Sequence, residues 1–233
     1  MTTILSVTHQ PDARAGVFAD VGAELVEWMP SERPPPVLDG VDGVMIFGGG
    51  MHVDHEAAHP WLRDEKRLIG ELVRRRIPIL GVCLGAQLLA EAAGARPRRA
   101  ARPEIGWHRV EVTPDGEADP LIGPLAPAFE VFEWHSYEAP LPPGGLALAS
   151  TELCLQAFRL DGLPVWGVQF HAEVTLAGLE RWLDGWEADE DAAASGLDPK
   201  AIRRESRQKI AAQEELGRSL VRRFMATVEA ARG

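Results

Sequence analysis

Cysteine is scarce in this chain of 233 residues: Cys83 and Cys154 are the only two. Two thiols make no disulfide framework, and a reducing cytoplasm is the compartment that suits them. Long hydrophobic runs are missing as well. No segment approaches the ~20 apolar residues that cross a bilayer, so no membrane association is expected. The opening Met1-Thr2-Thr3-Ile4-Leu5 lacks the basic region and long apolar stretch of a signal peptide and reads as a first strand. Positive charge is in short supply: 24 Lys and Arg stand against 35 Asp and Glu, a net charge of -11 that argues against a nucleic-acid partner. There is no internal repeat, and no Gly-x-x-x-x-Gly-Lys pattern of a nucleotide-binding synthetase unit. What is present is a 45% hydrophobic fraction, ordinary for a globular protein and enough for one well-buried domain.

The most informative stretch is Ile77-Pro78-Ile79-Leu80-Gly81-Val82-Cys83-Leu84-Gly85-Ala86-Gln87-Leu88-Leu89. An apolar run of strand length leads into a Leu- and Ala-rich helical segment. Cys83 sits at the junction, with Gly81 and Gly85 two positions away on either side. This is the pattern of a nucleophile elbow, in which a sharp strand-to-helix turn presents one side chain and small neighbours let the backbones pass. Free N–H groups at the start of the helix favour a thiolate there. A structural cysteine at a strand end is the alternative, but burial alone does not need the glycine spacing.

Around this stretch the chain alternates strands and helices. Residues 3–7, 24–29 and 41–47 read as strands. Val17, Val21 and Leu25, four apart, suggest one buried helix face between the first two. Gly48-Gly49-Gly50 closes the third strand as a loop that tolerates close approach. His52, Asp54, His55 and His59 follow as a polar loop, without the ligand spacing of a known zinc enzyme, and no metal is expected. A helix from Pro60 carries Leu62, Leu68, Ile69, Leu72 and Val73, a stripe that only Glu65 interrupts. Residues 96–102 are basic and punctuated by proline. Residues 108–113 read as a half-exposed strand, Asp115-Gly116 as a turn and 119–125 as a short helix. Residues 129–132 lead into Glu133-Trp134-His135-Ser136-Tyr137-Glu138. Three more strands are expected at 146–150, 154–160 and 165–170. Beyond the last, His171 and Glu173 would share one side of a continuing strand, so a base and its orienting carboxylate could both approach Cys83. Residues 189–198 are acidic and Ala-rich with Gly196, and look like a flexible connection. A final helix over about 200–229 carries Leu216, Leu220, Phe224 and Val228 as an apolar stripe. Its expected cover is the protein's own core, a second copy in a homodimer, or a partner enzyme.

The Cys83 signature resembles that of the class I (triad) glutamine amidotransferases. Gly48-Gly49-Gly50, Trp134-His135-Ser136 and Phe170-His171-Ala172-Glu173 match the family in order, and Glu104-Ile105-Gly106-Trp107 is similar to its GMP-synthase-like, freestanding branch. The resemblance implies an α/β fold with a mainly parallel sheet, helices on both faces and a small antiparallel element. It covers residues 1–183, leaving 184–233 as a linker and a C-terminal helix packed on that domain or on a partner. It implies Cys83 as nucleophile, His171 as base, Glu173 as its orienting carboxylate, and the N–H groups of Gly49 and Leu84 as the oxyanion hole. Gly50, Gln87, His135, Ser136 and Tyr137 would contact the substrate. Many members carry His-Gly-Asp where this chain has His135-Ser136-Tyr137, so the carboxylate is lost at Tyr137, although Glu138 is adjacent. The implied reaction, without a cofactor, releases ammonia from glutamine through a γ-glutamyl thioester. The ammonia would supply a separate synthetase partner, since no synthetase domain follows. A freestanding hydrolase of γ-glutamyl amides or peptides is the alternative, and a non-catalytic binding or regulatory module is the reading from another class.

Overall fold

The apolar runs become strands of one nine-stranded sheet in the computed structural model, which describes residues 1–232. Strands β1 (Thr3–Val7), β2 (Glu24–Trp28), β3 (Gly43–Ile46), β4 (Ile79–Val82) and β9 (Val165–Val168) pair in parallel, in the order β2-β1-β3-β4-β9. The sheet continues through β8 (Leu155–Leu160), β7 (Gly145–Ser150), β5 (Arg98–Val112) and β6 (Ala128–Glu138), with every pairing antiparallel. The fold is α/β as expected, with an antiparallel part as extensive as the parallel one.

β3 and β4 are buried along their whole length, as strands covered on both faces must be. Alternate residues serve opposite faces. Leu5, Val44, Ile46 and Ile79 pack with α1 (Leu62–Arg74) and α2 (Leu84–Ala92). Ile4, Met45, Leu80 and Val82 pack with Leu220, Val221, Phe224, Met225 and Val228 of α6 (Pro199–Arg232). The C-terminal stripe is therefore covered by the chain's own sheet: Leu220, Phe224 and Val228 are fully buried and Leu216 lies against them. Each such side chain contributes about 1.5–3 kcal/mol by leaving water. A third cluster joins Ile105 and Phe132 to Leu179 and Leu183 of α4 (Leu176–Asp184), to Trp186, to Ala192 of α5 (Glu190–Ala194), and to Ile202 and Ile210 of α6.

Four local expectations fail. Val17, Val21 and Leu25 share no helix. A short 3-10 turn, Gly16–Ala19, is followed by bends, and Leu25 lies on β2. The left-handed φ of +65° at Gly22 interrupts any continuous helix over these residues, so the four-residue spacing is coincidental. The strand expected at 108–113 is present as the end of the longer β5, which starts at Arg98 and passes a register shift between Arg99 and Glu104. Asp115 and Gly116 are inside a one-turn helix, α3 (Pro114–Glu117), capped by the Thr113 hydroxyl, and residues 119–125 hold only a 3-10 turn. Residues 189–198 are no loose connection: they contain α5, N-capped by the Asp189 carboxylate, and lead directly into α6.

Candidate active site

Cys83 follows β4 and caps the start of α2, with φ 52° and ψ -110°. A left-handed φ on a residue with a Cβ costs on the order of 1–3 kcal/mol and persists only where the surroundings hold it. Here the Cys83 N–H donates to the Val168 carbonyl at 2.8 Å, and its own carbonyl accepts from Gln87 at 3.0 Å. The flanking glycines are required by close approach. A Cβ on Gly85 would lie 2.2 Å from the Ile46 carbonyl oxygen, and one on Gly81 would lie 2.7 Å from the Gly85 carbonyl oxygen. With side chains at those positions the helix could not start against the sheet.

His171 and Glu173 stand in the turn after β9, not on a continuing strand, yet they are paired: His171 Nδ1 lies 2.8 Å from Glu173 Oε1. Main-chain contacts hold this turn. The His171 N–H donates to Phe132 and the Val17 N–H donates to the Glu173 carbonyl, both at 2.9 Å. The buried Gln213 of α6 donates through Nε2 to the His171 carbonyl at 2.5 Å, and its Oε1 accepts from the Phe132 N–H at 3.4 Å. Gly48 adjoins both His171 and Cys83. A Cβ there would lie 3.1 Å from His171 Cε1 and 3.9 Å from Cys83 Sγ. Burial alone would push the His171 pKa down. The Glu173 carboxylate, with Cys83 acting by charge and hydrogen bond, outweighs burial and holds it well above the ordinary value. Trp182 closes over the ring edge-on at 4.9 Å.

In the glycine loop, the Gly50 N–H is already taken by Gln10 Oε1 at 2.8 Å. Among the described residues, the N–H groups of Gly49 and Leu84 donate no hydrogen bond. Gly49 and Leu84 line the same cavity of about 610 Å³, which Cys83 and His171 also line and which reaches Gly50, Gln87, His135, Ser136 and Tyr137. Glu173 lies behind His171, outside it. Gln87 Nε2 is within 3.2 Å of the Tyr137 carbonyl and 3.3 Å of Gln169 Oε1, so the helix is tied to β6 below the cavity. Glu138 pairs instead with Arg98 at 2.8 Å.

His135 sits directly across the sheet from Glu104. Its Nδ1 lies 2.9 Å from the Tyr137 carbonyl, and its Nε2 lies 3.4 Å from a carboxylate oxygen of each of Glu104 and Glu133. Burial would depress its pKa, but the two carboxylates raise it to about 10. Glu104, His135 and Cys154 are the described residues whose metal-ligating atoms cluster, within 4.8 Å. Burial and the neighbouring Glu104 and Glu138 push the Cys154 thiol up.

The far wall of the cavity was not foreseen. It is built by Arg181, Trp182, Gly185, Asp189 and Asp191, and faces His52, His55 and Arg99. Trp134 Nε1 donates to Asp189 Oδ2 at 2.8 Å, Arg99 pairs with Asp191 at 2.6 Å, and His52 stacks on Tyr137 at 4.1 Å. Two signals in the sequence were available: an Asp ahead of Glu190-Asp191, and Asp198-Pro199, each a helix start.

A strained cysteine at a strand–helix elbow thus lies beside a paired histidine and glutamate at the carboxyl edge of a mixed sheet. The chain matches the family model for glutamine amidotransferase class-I over residues 13–181, and it belongs to that family. It is 30% identical over 183 residues to the glutamine amidotransferase-like protein YfeJ of Salmonella typhimurium, covering 75% of this chain and 77% of that one. It is 32% identical over 164 residues to a glutamine-hydrolyzing GMP synthase subunit from Saccharolobus solfataricus, covering 69% and 82% respectively. Among solved structures, a glutamine amidotransferase from Thermotoga maritima superposes with a TM-score of 0.85 at 26% identity, over 96% of this chain and 97% of that one. α5 and α6 lie beyond the family match. No helix among the described residues is long and apolar enough to cross a membrane.

Proposed function

We propose that the chain hydrolyses the side-chain amide of glutamine through a Cys83-His171-Glu173 triad. His171 takes the thiol proton, Glu173 orients and charge-supports the ring, and the thiolate attacks the amide carbon. The oxyanion is met by the N–H groups of Gly49 and Leu84. Protonated His171 gives its proton to the departing ammonia, and water then cleaves the γ-glutamyl thioester. Gly50, Gln87, His135, Ser136 and Tyr137 border the substrate. The observation that carries this reading is the left-handed Cys83 backbone, which lifts the thiol from the sheet edge beside a buried His171–Glu173 pair. The likeness to a chain named as a GMP synthase subunit supports delivery of the ammonia to a separate synthetase in the cytoplasm. The cavity volume favours a second reading on the same triad. About 610 Å³ is the size of pockets for drug-sized ligands, so a γ-glutamyl amide with a substituent on nitrogen is also accommodated.

Glutamine and a panel of γ-glutamyl amides, incubated with the purified chain, test both. Release of ammonia from glutamine is expected, and faster release of an amine from a substituted amide selects the second reading. A diazo-ketone analogue of glutamine should add its mass to the peptide containing Cys83. Labelling confined to Cys154, or full turnover by Cys83→Ala, overturns the assignment.

A further inference from the structure

The one carboxylate in the apolar stripe of α1 is fully buried, and the proposed chemistry does not use it. Glu65 is 0% exposed and His9, in the loop after β1, is 4% exposed. His9 Nε2 lies 2.9 and 3.1 Å from the two Glu65 oxygens, and its Nδ1 lies 3.1 Å from the Gly48 carbonyl oxygen. Trp61 stacks on the ring at 5.7 Å and closes it off. A carbonyl only accepts, and so does a carboxylate, so both ring nitrogens carry hydrogen and His9 is an imidazolium. Burial opposes that charge, but Glu65 and the backbone carbonyls outweigh burial and raise the His9 pKa. A buried ion pair is a poor way to gain stability, because an apolar pair of the same volume serves as well or better. The hydrogen bond to Gly48 is what an apolar pair could not supply.

That hydrogen bond fixes a direction. The Gly48–Gly49 peptide is trans, the cis bond among the described residues being Ala126–Pro127. In a trans peptide the C=O and N–H point to opposite sides. With the Gly48 carbonyl turned to His9, the Gly49 N–H is turned away from it, and Gly48 itself adjoins Cys83 and His171. Two adjacent glycines have no Cβ to hold their shared peptide, which could otherwise rotate. We propose that His9, charged by Glu65, is the positioning residue that keeps the Gly49 N–H aimed at the oxyanion. The proposal rests on the amide-hydrolase reading given above.

Three variants separate this role from stability. In His9→Gln the side chain still reaches Glu65 but not Gly48. His9→Met with Glu65→Met replaces the pair by apolar bulk. His9→Asn with Glu65→Met restores a donor at the Nδ1 position without leaving a buried carboxylate unpaired. The first two should lose roughly 10²–10³-fold in kcat, the size of one oxyanion donor. KM and the rate of Cys83 alkylation by iodoacetamide, which needs no oxyanion donor, should stay within about threefold of wild type. The Asn variant should recover most of kcat. A crystal structure of the double Met variant reads the peptide directly, whether or not glutamine is the substrate. A Gly48 carbonyl still turned toward position 9 overturns the proposal, as does unchanged kcat in that variant at wild-type thermal stability. Failure of the wild type to turn over any γ-glutamyl compound, with Cys83 unlabelled, would strike the hydrolase reading instead, and the peptide direction would still decide this one.

Discussion

The two walls of the cavity are built by different physics. The wall carrying Cys83, His171 and the glycine loop is held by main-chain hydrogen bonds, close backbone approach and the buried side chains of His9 and Gln213, and Cys83 and His171 are themselves almost wholly buried. The other wall, residues 182–191, is tied to β5 and β6 through side chains, Asp189 to Trp134 and Asp191 to Arg99. In the Arg99–Asp191 pair the side chains are 55% and 24% exposed. Bond making and breaking needs reacting groups fixed to fractions of an ångström, which backbone geometry supplies. Recognition of a substrate's variable part is suited to side chains on short helices, which can change without disturbing the sheet. Under the proposed triad, the difference would place chemistry on the first wall and selectivity on the second.

The strongest way to break this division is at His171. His171→Ala should lower the acylation rate of Cys83 by roughly 10²–10⁴-fold, the usual worth of a general base, with Glu173→Gln losing less. Glu173→Gln should also move the alkaline limb of the pH–rate profile to lower pH. Removing the carboxylate takes away a charge that raises the His171 pKa, so the imidazolium that protonates the leaving group is lost sooner as pH rises. Single-turnover rates across pH measure both. A larger loss in Glu173→Gln than in His171→Ala would reverse the two roles.

The next effect is on stability. Leu220 is fully buried in the cluster beneath Cys83, so Leu220→Ala should cost about 2–5 kcal/mol. In a protein of this length each kcal/mol lowers Tm by roughly 2–4 °C. An unchanged melting curve would show that α6 is not needed to hold the catalytic wall.

The smallest effect is expected at the rim. An exposed ion pair contributes about 0–1 kcal/mol, so Arg99→Ala should leave Tm nearly unchanged while shifting KM severalfold across a panel of γ-glutamyl amides. Unaltered KM values throughout the panel would remove the second wall from substrate selection.

The parts of the site legible in the sequence are those whose chemistry is local. The glycines at 81 and 85 announce Cys83 because backbone crowding at an elbow acts within a few residues. Glu65 was visible as an anomaly in an apolar stripe, but its partner His9, 56 positions away, was not. Val17, Val21 and Leu25 misled because periodicity carries no information about the left-handed Gly22 that interrupts it. The 189–198 stretch misled because composition reports solvent exposure, and a carboxylate that caps a helix or pairs with Arg99 is polar in the same way as one in a flexible link.

By itself the sequence determined the α/β alternation, the elbow, the glycine loop and the order in which Cys83, His171 and Glu173 occur. These follow from propensity, sterics and spacing along the chain. Only the tertiary structure decided that the α6 stripe is covered by the chain's own sheet, that Gln213 holds the His171 turn across 42 residues, and that α5 lines the cavity. Each of those is a contact between segments far apart in the chain. Its free energy exists only once the sheet has brought them together, and no local preference of either segment encodes it.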